Sequence, residues 1–85
     1  MYKLEIRRQA ATKLKSLPRN ERLRITDKID QLAVNPDDSA LDTKKLKDSE
    51  LYRLRVGIWR IIYYREDTLR IISIEKLGAR GDVYK

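Results

Sequence analysis

The sequence predicts a small α+β domain: an N-terminal strand, a helical hairpin, then an antiparallel three-strand meander with a basic C-terminal tail. Three observations carry that prediction. The hydrophobic period changes from alternate residues near the start to every third or fourth residue after it. Three strand-like runs then follow one another with only short turns between them. And the 85 residues are enough for one domain, 1–85, with no linker long enough to divide it.

Taken in order, Tyr2, Leu4 and Ile6 alternate with Lys3 and Glu5, which reads as a short strand with one buried face. Ala10, Leu14 and Leu17 fall at i, i+4 and i+7, one face of a helix from Gln9 to Leu17. Pro18 ends it, because a proline disfavours the α conformation in the residue before it. A second helix runs from Arg19 to Val34, with Ile25, Ile29, Leu32 and Ala33 as its apolar stripe. Leu23 and Val34 lie off that stripe, to pack on the first helix or to meet a partner. The short link predicts an antiparallel hairpin whose apolar side covers the downstream sheet.

Asn35-Pro36-Asp37-Asp38-Ser39 is a breaker cluster, and residues 35–50 read as a polar loop. Lys44, Lys45 and Lys47 lie there among Asp42, Asp48 and Glu50, so the loop reads as a solvated connector. Leu51–Val56 is the next strand, Gly57 a turn, Ile58–Tyr64 a strand, Glu66-Asp67 a turn and Leu69–Glu75 the last strand. The last two runs are almost continuously apolar, as suits central strands. Leu77 to Lys85 reads as a tail, with Gly78 and Gly81 letting Arg80 fold back over the sheet beside Arg60. Gly78-Ala79-Arg80-Gly81 also fits a G-x-x-G nucleic-acid loop, but that loop joins two helices and this one follows a strand.

The formal net charge is +7, divided as +6 over residues 1–24, −3 over 25–50 and +4 over 51–85. A basic surface favours polyanions: nucleic acid, anionic lipid or an acidic protein. There is no cysteine and no histidine. Disulfides and thiolate metal sites are thereby excluded, and so are the commonest general base and metal ligand. Met1 to Arg8 contains no apolar signal core, and no apolar run approaches membrane-spanning length, so the expectation is a cytoplasmic protein with no membrane partner.

The candidate chemistry lies in the arginines of Leu51–Tyr84. Alternation puts Arg53 and Arg55 on one face of their strand and Tyr52, Leu54 and Val56 on the other. Arg60 interrupts an apolar strand and shares its side with Ile62 and Tyr64. Guanidinium groups gathered on one side of a sheet make a cradle for phosphate.

Three segments carry a family resemblance: Leu51-Tyr52-Arg53-Leu54-Arg55-Val56-Gly57, Trp59-Arg60-Ile61-Ile62-Tyr63 and Gly78-Ala79-Arg80-Gly81-Asp82-Val83-Tyr84. With the element order, they resemble the RelE-like toxins of the RelE/ParE toxin–antitoxin superfamily. The resemblance implies a ribosome-dependent mRNA endonuclease that cuts the A-site codon without a metal or other cofactor. The mRNA 2′-hydroxyl attacks the adjacent phosphate, leaving a cyclic phosphate and a 5′-hydroxyl. It also implies a cognate antitoxin protein, and the ribosome and mRNA as partners. Arg60 and Arg80 match arginines that hold the scissile phosphate, the latter also protonating the leaving oxygen. Tyr84 matches a tyrosine that positions the base and supports the 2′-hydroxyl.

Arg53 and Arg55 match two phosphate-binding positions that are lysines in well-known members, one of them a candidate general base. Arginine stays protonated and is a poor base, so this departure leaves the base open between Tyr84 and Glu75. The alternative within the same fold is a ParE-like, non-enzymatic toxin that inhibits DNA gyrase.

Overall fold

A computed structural model describes residues 1–79. The chain runs β1 (Lys3–Ile6), α1 (Arg8–Ser16), α2 (Arg19–Val34), β2 (Asp42–Lys45), β3 (Tyr52–Val56), β4 (Trp59–Glu66) and β5 (Ile71–Ala79). The strands form one sheet in the order β1-β5-β4-β3-β2. β1 runs parallel to β5, and every other neighbouring pair is antiparallel. None of the described helices is long and apolar enough to cross a membrane.

Both helices lie where their apolar stripes require. Ala10 of α1 and Ile25, Ile29, Leu32 and Ala33 of α2 are buried, as the spacing predicts. They close over one face of the sheet, where Leu54, Val56, Ile61, Tyr63, Ile72, Ile74 and Leu77 complete the core. Leu23 and Val34 do not join it: they are 54% and 59% exposed on α2. The β3–β4 connection turns through Gly57 at φ +60°, a left-handed conformation that glycine adopts without penalty.

Two expectations are corrected. Residues 35–50 are not a loop throughout, because Asp42–Lys45 pairs with β3 as an edge strand. Its sequence has no strand pattern; it is held by the β3 backbone and by the buried Leu41 just before it. Leu77–Ala79 likewise belong to β5 and not to a tail. β5 escapes simple alternation through a register shift opposite Ile62/Tyr63. Ile62 pairs with Lys76 and Tyr63 with Ile74, so Glu75 is the additional residue of a β-bulge. Counting in twos from Ile72 and Ile74 would send Lys76 inward. With the bulge, Leu77 is buried instead and Lys76 is exposed.

Candidate nucleic-acid interface

The strand registers line up side chains across the face of the sheet away from the helices. One row reads Asp42, Arg55, Arg60, Gly78, and the next reads Lys44, Arg53, Ile62, Lys76. Arg53 and Arg55 share one face, as alternation predicts, and the β3–β4 register adds Arg60 to it, opposite the buried Leu54 and Ile61. Arg55 and Arg60 are direct cross-strand neighbours. Ile62, almost fully buried, is flanked by Arg53 and Lys76, whose aliphatic stems suit such a position.

Asp42 sets the electrostatics of this face. Arg53 Nη2 donates to its Oδ1 at 2.9 Å and Arg55 Nε donates to its Oδ2 at 2.6 Å. Two cations thus share one anion and keep a net positive charge between them. Arg53 is mostly covered, and its buried Nε has no partner among the described residues. Arg60 is half-buried and makes no ion pair among the described residues. An unpaired guanidinium beside a half-neutralised pair is suited to receive a phosphate oxygen.

Arg80 and Tyr84 lie outside the described residues, and so does the fold-back of Arg80 over the sheet. Glu75 is on the open face at the bulge, where its Oε2 accepts a hydrogen bond from Ser73 Oγ. Sequence reasoning missed Asp42, Lys44 and Lys76 as members of this face. For the first two the local pattern is too short to signal a strand. For Lys76 the signal was present: Ile74 and Leu77 are both apolar and three apart, which only a bulge reconciles with a strand. Among the described residues no three acidic side chains converge as a metal set.

A second arginine site occupies the helix-covered side of the sheet. Arg65 Nη1 donates to Asp37 Oδ1 at 2.9 Å and its Nε to Asp67 Oδ1 at 2.8 Å. Its guanidinium also lies over the Tyr52 ring, 5.8 Å from the centroid. Its hydrogen bonds hold both carboxyls, Asp37 and Asp67, below the ordinary carboxylate value, and its charge adds to the effect. Tyr52 stacks on Tyr63, whose phenol is pushed up to about 12 by burial. The Thr43 hydroxyl approaches Tyr63 Oη without forming a well-made hydrogen bond.

A two-layer α+β domain, with helices on one sheet face and arginines on the other, is the class into which this chain falls. Comparison with known proteins narrows it. A profile of the ParE toxins of type II toxin–antitoxin systems, parDE, matches residues 4–84. A Methanocaldococcus jannaschii protein provisionally named toxin RelE1 is 35% identical, over 99% of this chain and 96% of its own. The archaeal RelE–RelB complex from Pyrococcus horikoshii contains a chain that superposes with a TM-score of 0.82 at 32% identity, covering 96% of this chain and 98% of that one. In the RelB–RelE antitoxin–toxin complex from Methanococcus jannaschii the values are 0.76 and 26%, with 95% of each chain covered. The chain belongs to the RelE/ParE family of type II toxin–antitoxin toxins.

Proposed function

We propose that this toxin is a ribosome-dependent endoribonuclease that cuts mRNA in the A-site codon, with the open sheet face as its active surface. The observation that carries the reading is the shared face of Arg53, Arg55 and Arg60, with Arg60 free of an ion pair among the described residues. In this mechanism the mRNA 2′-hydroxyl passes its proton to Tyr84 or Glu75 as its oxygen attacks the adjacent phosphorus, and the bond from phosphorus to the 5′-oxygen breaks. The products are a cyclic phosphate and a 5′-hydroxyl. Arg53 and Arg55 bind the phosphate, and Arg60 meets the negative charge that grows on the phosphorane. By family resemblance Arg80 shares that task and protonates the leaving oxygen, while Tyr84 positions the nucleotide. The ribosomal target places the protein in the cytoplasm.

The partner in the cell is a cognate antitoxin protein. The solved archaeal relatives are complexes of RelE with RelB, and Leu23 and Val34 offer exposed apolar contacts on α2. An antitoxin that orders on binding would cover the helices and the basic face together. Co-expression of an adjacent small reading frame should restore growth; continued toxicity would count against it.

Primer extension on mRNA in a translation complex with an empty A site tests the nuclease reading. Cuts within the A-site codon are expected from the wild type and not from Arg60→Ala. The match to ParE toxins favours one other reading, a non-enzymatic gyrase inhibitor. Intact mRNA together with blocked gyrase supercoiling would replace the first reading with the second.

A further inference from the structure

β2 brings a carboxylate into the basic face. Asp42 stands opposite Arg55 in the β2–β3 register, and Arg55 stands opposite Arg60 in the β3–β4 register. One Asp42 oxygen takes Arg55 Nε and the other takes Arg53 Nη2, at 2.6 and 2.9 Å. The carboxylate thus joins two guanidinium groups and occupies one nitrogen of each. Among the described residues, both terminal nitrogens of Arg55 and the Nη1 of Arg53 have no partner. Stability is a poor reason for this arrangement, since the Asp42 side chain is 43% exposed and exposed ion pairs add little.

We infer that Asp42 is a positioning residue: it locks Arg53 and Arg55 side by side so that their remaining N–H groups meet one phosphate, and it acts through those arginines without touching RNA. The inference rests on the nuclease reading and names a residue that the reading itself does not use. Two physical arguments support it. A guanidinium on a flexible stem loses freedom when it closes on the phosphorane, and ordering it beforehand removes that cost from the step that reaches the transition state. Three like charges in adjacent register positions also repel, and a carboxylate between two of them relieves the repulsion without cancelling the field.

Two variants separate positioning from charge. Asp42→Asn keeps the shape and removes the charge. Asp42→Glu keeps the charge and moves it outward by one methylene. In the translation complex, kcat should fall about tenfold in both variants. KM should stay level or drop in Asp42→Asn, because an anion has left an RNA-binding face. Both proteins should melt close to the wild type. A second readout needs no cleavage: hydrogen exchange of the Arg55 Nε–H, followed by NMR in the free toxin, should be several-fold faster in Asp42→Asn. Wild-type kcat in Asp42→Asn overturns the inference, as does full recovery of kcat in Asp42→Glu, which would leave charge alone at work. If the wild type cuts no mRNA, the nuclease reading falls by itself. The clasp is then decided by the exchange rates, and equal rates in wild type and Asp42→Asn would end it.

Discussion

β4 carries two half-buried arginines, Arg60 and Arg65, whose odd spacing puts them on opposite faces of the sheet. Arg65, on the helix side, is tied down: two carboxylates bind it and an aromatic ring lies beneath it. It ties the segment after α2, through Asp37, to the β4–β5 turn, through Asp67, and Asp67 also accepts from Tyr2 Oη. Arg60, on the open side, has no acid bound to it among the described residues. Among the described residues the same side chain on the same strand is therefore tied down on one face and left without an ion pair on the other. A guanidinium whose bonds are used inside the protein holds the fold; one whose bonds are unused is available to a ligand.

The sharpest way to break that contrast is to remove each arginine and compare activity with stability. Arg60→Ala should lower the cleavage rate by about 10²–10³-fold, the usual cost of losing one positioned donor to a charged transition state. Its melting temperature should barely move. Arg65→Ala should do the reverse, with wild-type cleavage well below the melting transition and a stability loss of about 1–3 kcal/mol. Thermal denaturation would read the latter as a fall of roughly 4–8 °C per kcal/mol for a domain of this size. If Arg65→Ala lost cleavage while keeping its melting temperature, the division of roles between the two faces would be wrong.

Acid titration sharpens the comparison from the carboxylate side. Asp37 and Asp67 are held below their ordinary value of 3.8 by Arg65. A carboxyl depressed in the folded state stabilises the fold above its unfolded pKa, and that contribution disappears as the pH falls through the folded pKa. The wild type should therefore lose stability as the pH drops below about 4. Arg65→Ala should show a shallower decline over the same range in denaturant titrations. The smallest effect is expected at Tyr63, whose buried hydroxyl lacks a well-made hydrogen bond among the described residues. Tyr63→Phe removes an unpaired polar atom without changing the ring, so stability should stay within about 0.5 kcal/mol or rise. A loss of several degrees in melting temperature would reveal a partner for that hydroxyl.

Legibility differed between the two faces. The helix-covered face was written in local patterns: the α2 stripe of Ile25, Ile29, Leu32 and Ala33, and the alternation of Leu54, Val56, Ile61 and Tyr63, each predict their own burial. The arginine face was legible only within each strand. Nothing in Asp42-Thr43-Lys44-Lys45 signals an edge strand, because its partner is β3 and the pairing is made through backbone atoms. Arg65 was likewise silent in the sequence, since the acids that bind it come from two separate turns.

By itself the sequence determined the two helices and the three-strand meander, the core side of each helix and the common side of Arg53 and Arg55, because periods of two and of three to four residues are local properties of the chain. Tertiary structure decided which residues from distant segments meet. The parallel β1–β5 pairing, the bulge that turns Lys76 outward and the Asp42 clasp on Arg53 and Arg55 all depend on register between strands. Register is set by backbone hydrogen bonds and by the packing of the whole sheet against its helices, and no single segment contains that information.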